Sequence, residues 1–305
     1  MSATWDVLGL GAVAVDDLVY VDHYPVPGSK LAIQARRREG GGLAGTALVA
    51  AARLGASAAY CGVLGDDELS RFTLEELARE GVDCGPVLRR AGARPFHSLV
   101  IVDRSTAGRT ILYTADGVSQ PGAEEITQEL IANCRVLFLD HTVAQAGPRA
   151  AELAQRHGIP VVGDIEREAV PGLPELMRGI DHLIVGRDLA ERLSGENEPA
   201  AMLRALSGEG RACCVVTAGE RGCWYQERGG QVRHVPAFKV QVADTTGCGD
   251  VFHGAYAACL AQGESVDTAV RIATAAAGIK ATQPGGRSGI PDRAAIDRFL
   301  EERLT

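Results

Sequence analysis

Residues 244–250 read Asp-Thr-Thr-Gly-Cys-Gly-Asp, between a strand-like run at 238–242 and an apolar helical stretch opening at Val251. A helix start offers amides with no intrahelical acceptor, and its aligned peptide dipoles add partial positive charge. Phosphate oxygens are favoured ligands at such an end. Gly247 and Gly249 lack a Cβ, so the backbone can turn sharply and an anion can approach an amide nest closely. Asp250 then makes chemical sense as a base, because phosphoryl transfer needs positioning, charge stabilisation and an acceptor for the attacking hydroxyl's proton. The plainer reading, that Asp250 caps the helix, accounts for one Asp and leaves two carboxylates around two glycines unexplained.

Other segments suit backbone contact with a ligand. Gly40-Gly41-Gly42 runs into an alanine-rich helical segment at 43–54, ended by Gly55. Its amides are open to close approach, although a flexible turn before a packed helix explains the glycines equally well. Thr217-Ala218-Gly219-Glu220-Arg221-Gly222 ends a buried strand, the edge where open α/β sheets bind ligands. Gly9-Leu10-Gly11-Ala12-Val13-Ala14 matches a dinucleotide fingerprint, which must open a helix. Residues 13–21 are β-branched and aromatic instead, and argue against that reading. Cys248 at a helix start is expected to carry a stabilised thiolate. With His253 on another turn of the same helix, it reads as a bystander rather than a nucleophile. His97, His141 and His182 form no metal triad.

The elements that must position these residues alternate. Residues 136–139, 159–162, 182–185 and 212–217 read as buried strands and 148–157 as a helix. That rhythm indicates βαβ units, so the expected fold class is α/β, a mostly parallel sheet with helices on both faces. Helices at 251–261, 266–282 and 292–304 close the chain, the last following Pro291. Residues 13–38, with apolar runs at 18–21 and 31–33, and residues 96–113 are β-rich. They suit either a small extra sheet acting as a lid, which would keep water from a phosphoryl donor, or edge strands of the main sheet.

Bulk composition excludes several classes. The 305 residues are 46% hydrophobic and 23% charged, with a net charge of −8, which is ordinary for a globular protein with a substantial core. No basic run exceeds Arg36-Arg37-Arg38, so nucleic acid is not an expected partner. No apolar run reaches the roughly 20 residues of a bilayer span, and no basic-then-apolar leader opens the chain. A cytoplasmic protein without a membrane partner is expected. Eight cysteines with no C-x-x-C pair are expected to be reduced and mostly buried rather than zinc ligands.

In order along the chain, residues 11–16, Pro25-Val26-Pro27-Gly28, Gly41-Gly42, Gly65-Asp66-Asp67, residues 217–222 and residues 244–250 resemble the PfkB, or ribokinase-like, family of carbohydrate kinases. The resemblance covers nearly the whole chain, and the last motif is the most specific. It implies one ribokinase-like domain over 1–305, with a lid from segments near 13–38 and 93–118 and a homodimer formed through that lid. It further implies an enzyme that uses ATP and Mg²⁺ to phosphorylate a primary hydroxyl of a ketose or related sugar. Asp250 would be the base, and the amides of Gly247, Cys248 and Gly249 the anion hole. Asp16, Gly41, Gly42, Thr46, Arg109, Tyr113 and Asp140 would face the sugar, and Thr217, Gly219, Gly222 and Thr245 the nucleotide. Asp244 and Thr246 would hold a monovalent cation such as K⁺, and Asp164 would meet Mg²⁺ through water.

The chain departs from the family pattern at informative places. Ala14 and Thr46 stand where the family often has asparagines that contact sugar. The family's Asn-x-x-Glu motif, associated with Mg²⁺ and phosphate, falls on Gly186-Arg187-Asp188-Leu189, leaving Asp164, Glu166 or Asp188 to take over through water. Gly40-Gly41-Gly42, residues 236–240, Val251-Phe252-His253-Gly254 and residues 284–291 look most like the sulfofructose kinase branch. Tyr113 and Thr142 replace its sulfonate-holding Asn and Arg, which argues for another sugar unless Arg109 or Arg94 meets an anionic group. A sugar- and nucleotide-binding regulatory protein and a nucleoside kinase are the alternatives on the same fold.

Overall fold

The computed structural model describes residues 3–106, 108–208 and 210–303. Its strands are β1 (Trp5–Leu10), β2 (Ala14–Val21), β3 (Ala35–Gly41), β4 (Ala58–Cys61), β5 (Val63–Leu64), β6 (Val82–Asp83), β7 (Leu88–Arg89), β8 (Phe96–Asp103), β9 (Arg109–Thr114), β10 (Cys134–Asp140), β11 (Val161–Ile165), β12 (His182–Gly186), β13 (Cys213–Thr217), β14 (Cys223–Glu227) and β15 (Arg233–Val235). The α-helices are α1 (Leu43–Arg53), α2 (Glu68–Arg79), α3 (Gln128–Ala132), α4 (Gly147–Arg156), α5 (Leu173–Arg178), α6 (Arg187–Ser194), α7 (Pro199–Ser207), α8 (Cys248–Ala261), α9 (Val266–Lys280) and α10 (Arg293–Glu301).

The main sheet has the order β15-β14-β13-β12-β11-β10-β1-β4-β6, parallel from β13 to β6, with β14 and β15 antiparallel at one edge. Alternate residues face opposite layers, as strand geometry demands. Val7, Val136 and Phe138 join the core under α1, α8 and α9, while Leu8, Leu137 and Leu139 join the one under α4 to α7. Between β1 and β10 the strand order switches direction, the place where open α/β sheets form a crevice at their C-terminal edge.

Helices α1 and α8 are rich in small residues, and this sets their separation. A Cβ on Gly254 would stand 1.9 Å from the Ala47 carbonyl oxygen, so the two backbones touch. Both helices start at a glycine in the left-handed region, Gly42 at φ 86° and Gly247 at φ 74°, with no side-chain cap. The close crossing in their second turns brings both uncapped starts to one crevice.

A second sheet, β3-β2-β8-β9, stands apart from the main one, with β2 and β8 parallel and the outer pairs antiparallel. Its strands come from the two β-rich stretches of the sequence. The apolar run at 31–33 is irregular, however, and β3 is the Arg-rich segment Ala35–Gly41 instead. Its outer residues are solvent-exposed, so backbone pairing with β2 rather than apolar burial makes it a strand.

Other boundaries moved for identifiable reasons. Residues 238–242 form no strand; Pro236 lacks a donor for a ladder, and Val242 is 59% exposed. The strand expected at 159–162 is Val161–Ile165. Helix α8 opens at Cys248, three residues before Val251, because Gly247 takes the left-handed turn. Asp292 caps α10 by accepting from the Ala295 amide at 2.7 Å, and the expected helix end at residue 304 lies outside the described residues. Among the described residues no helix is long and apolar enough to cross a membrane.

Candidate active site

The turn expected to bind phosphate lies at the start of α8. Asp244 folds it, its Oδ1 accepting from the Thr246 amide at 2.8 Å and hydroxyl at 2.7 Å, and its Oδ2 from the Gly285 amide at 2.9 Å. The Gly247, Gly249 and Asp250 amides have no acceptor among the described residues, whereas the Cys248 amide donates to Thr245 O at 3.2 Å. The expected nest is therefore shifted, with Asp250 contributing an amide in place of Cys248. Gly247 has no room for a side chain, since a Cβ would stand 2.7 Å from Gly286 O. The expectation of a stabilised Cys248 thiolate fails, because burial pushes the thiol up, with Asp244 and Asp250 adding and Lys280 opposing.

The Asp250 carboxylate accepts no hydrogen bond from the protein among the described residues. Burial holds its pKa well above the ordinary carboxylate range, Glu166, Asp140 and Asp16 push the same way, and Arg287 pulls it down. A half-buried carboxylate without protein donors among the described residues, beside open amides, is equipped to take a proton from a hydroxyl.

Asp16 is the second available carboxylate. Burial raises its pKa, while the Ser98 hydroxyl and Arg287 oppose the shift. Its Oδ2 sits over Gly41, where a Cβ would come within 2.2 Å and push the Asp16 carboxylate aside. Gly42 caps α1 against the Ala12 carbonyl. Thr46 is buried, and its hydroxyl accepts from Arg287 Nε at 3.3 Å.

Asp140 has a different task from the one expected. It is wholly buried; Oδ2 accepts from the Ala12 amide at 2.6 Å, and Oδ1 from the Thr142 amide at 2.8 Å and hydroxyl at 2.5 Å. With both oxygens taken, it braces the β1–β2 connection rather than offering an oxygen to a sugar. Arg109 and Arg94 are likewise engaged: Arg109 Nη1 pairs with Asp244 Oδ1 at 3.3 Å and Arg94 Nε with Asp67 Oδ2 at 3.2 Å. Tyr113 is 56% exposed, and its hydroxyl accepts from Arg167 Nη1 at 3.3 Å. Arg167 is thus a cation at the rim that the sequence reading did not select.

Asp164 lies in register with Asp140 on the neighbouring strand. Its Oδ1 is 3.5 Å from His253 Nε2, and its buried Oδ2 has no partner among the described residues. Burial, then Glu166 and Asp250, keep its pKa well above the usual range. This orphaned oxygen within a group of carboxylates suits a dication held through water. No group of three or more His, Cys, Asp or Glu is arranged for direct metal ligation among the described residues. At the Asn-x-x-Glu position, Gly186 ends β12, Leu189 is packed in the core and Asp188 is exposed.

Of the residues expected to face the nucleotide, Thr217 ends β13 beside the turn 219–222, in which Gly219 and Gly222 have positive φ, and Thr245 is exposed one residue before Thr246. A potassium ion does not fit at Asp244 and Thr246. Thr246 spends its amide and hydroxyl hydrogen on Asp244, whose two carboxylate oxygens have protein donors and whose carbonyl accepts from Lys280 Nζ at 3.0 Å.

The residue most easily missed in the sequence is Arg287. It is 6% exposed, donates from Nη2 to Gly41 O at 2.6 Å, and fills a slot that Cβ atoms on Gly40 and Gly45 would close, at 2.2 and 2.5 Å. Only the glycines at 40–42 and 45 hinted that something large enters there.

Residues 9–293 match the description pfkB family carbohydrate kinase. The chain is 29% identical over 302 residues to the ribokinase of Haemophilus influenzae, covering 96% of this chain and 97% of that one. It is 30% identical over 290 residues to fructokinase-1 of Oryza sativa subsp. japonica, covering 86% and 88%. Among solved structures, the ribokinase of Thermotoga maritima superimposes with a TM-score of 0.84 at 24% identity, covering 97% and 99%, a likeness of fold.

Proposed function

The chain belongs to the pfkB family of carbohydrate kinases, and from that premise we propose that it transfers the γ-phosphoryl group of ATP to a primary hydroxyl of a ketose or related small sugar, with Asp250 as general base. The observation that carries the reading is the free Asp250 carboxylate beside the open amides of Gly247, Gly249 and Asp250 itself. Asp250 takes the proton from the attacking hydroxyl, and those amides stabilise charge on the transferring group. Asp16 and the backbone at Gly41 and Gly42 orient the sugar. Thr217 and the 219–222 turn line the nucleotide.

Mg²⁺ bound with ATP supplies counter-charge to the phosphoryl oxygens. Asp164, through water and with Glu166 beside it, is the group of this chain suited to hold it. The small sheet acts as the lid, and the Arg109–Asp244 pair ties it to the phosphate turn. Leu99 and Leu112, directly paired between β8 and β9, leave an apolar patch on the face of that sheet opposite Tyr113, which supports pairing of two copies through it.

ADP release measured across ribose, 2-deoxyribose, fructose and other ketoses tests the proposal, with Asp250→Asn as the control. Turnover within about threefold of wild type in that variant would remove Asp250 as the base, since losing one costs at least roughly a hundredfold.

A further inference from the structure

Lys280 closes α9 and is fully buried, yet among the described residues it makes no direct ion pair. Its ammonium donates to the carbonyl oxygen of Asp244, the residue that folds the phosphate turn. Burial disfavours its charge and Arg109 opposes it, while Asp244 and Glu39 favour it. Burying an unpaired ammonium is costly unless something specific requires it. The segment is held in place from both sides, with the Ala243 and Asp244 amides donating to Ala281 O at 2.8 and 3.1 Å, and the Gly285 amide bonding the Asp244 carboxylate.

We propose that the Lys280 ammonium is a built-in monovalent cation for the phosphate turn, taking the place of a bound potassium ion and making the enzyme independent of one. An ammonium is a compact monovalent charge, and carbonyl oxygens hold such charges as they hold K⁺. Tethered to α9, it needs no dissolved ion to be recruited. It fixes the Asp244 carbonyl, hence the start of the turn, and adds positive charge behind the amides that receive the anion. The last turn of α9 is also the end where a helix favours a cation. The role in catalysis rests on the kinase reading above; the role in nucleotide binding does not.

The test compares chloride salts of potassium, sodium and tetramethylammonium at equal ionic strength, reading ATP affinity by calorimetry and ADP release separately. Wild type should bind ATP equally in all three, within about twofold; tightening by potassium beyond about fivefold overturns the proposal. Lys280→Ala should bind ATP roughly tenfold or more weakly in tetramethylammonium, the scale of one lost charged hydrogen bond, with affinity restored by potassium. Lys280→Met retains the bulk and should not be restored. A folded Lys280→Ala that potassium leaves unchanged, or a Lys280→Met that it rescues equally, overturns the proposal. If Lys280→Ala does not fold in any salt, the wild-type comparison decides. Potassium-independent ATP binding without ADP release from any sugar would sink the kinase reading and leave this one standing.

Discussion

The two halves of the crevice are built differently. The side proposed to bind phosphate is one contiguous heptapeptide at a helix start, with Asp250 the third residue of α8 and its carboxylate without a donor among the described residues. The acceptor side is assembled from β2, the β3–α1 turn and the 284–290 loop, and its central cation, Arg287, lies 241 residues from the Thr46 it touches. A contiguous site is carried by local backbone conformation. A dispersed one depends on packing, and its members couple through shared contacts.

Removing the base should separate the halves most sharply. Asp250→Asn should lower kcat at least about a hundredfold while ATP affinity stays within about threefold. The same variant should melt higher at pH 7. The folded-state pKa of Asp250 lies above the unfolded one, so ionising it costs stability as pH rises, and Asn never ionises. A variant that melts lower would show that this carboxylate is not held against its solvation preference.

Among the binding constants, Arg287→Met should next disturb the acceptor side only, raising the sugar KM about tenfold with ATP affinity unchanged. It should also move the acid limb of kcat/KM. On the proposed mechanism activity needs ionised Asp250, so that limb should lie above the ordinary carboxylate value, because burial disfavours ionisation and Glu166, Asp140, Asp16 and Asp164 add to it. Arg287 is the cation opposing them, so its loss shifts the limb to higher pH. An unmoved limb would uncouple the two halves. Gly40→Ala, which crowds Arg287 Nη1, should give the same shift at smaller size, and an opposite sign would count against the slot.

The smallest effect concerns Cys248. Burial raises its thiol, so alkylation at pH 7 should be slower than for an exposed cysteine, and ATP should slow it further. Rapid labelling unaffected by ATP would place the thiol outside the crevice. Away from the chemistry, Leu112→Lys on the small sheet should halve the mass seen by light scattering and leave kcat within about twofold, as expected if pairing does not build the site.

The sequence by itself determined the class of the sheet, the two glycine-started helices and the position of Asp250, because these follow from period, β-branching and the conformational freedom of glycine within a few residues of chain. It could not show that β3 would be a charged strand, since that strand is made by its neighbour's hydrogen bonds. Nor could it show that Asp140 would spend both oxygens on Ala12 and Thr142, or that Lys280 and Arg287 would bring buried cations to Asp244 and Gly41. Those assignments depend on which donors meet which acceptors across more than a hundred residues for Asp140–Ala12 and Arg287–Gly41, and on which charges lose their water; only the closed tertiary structure decides either.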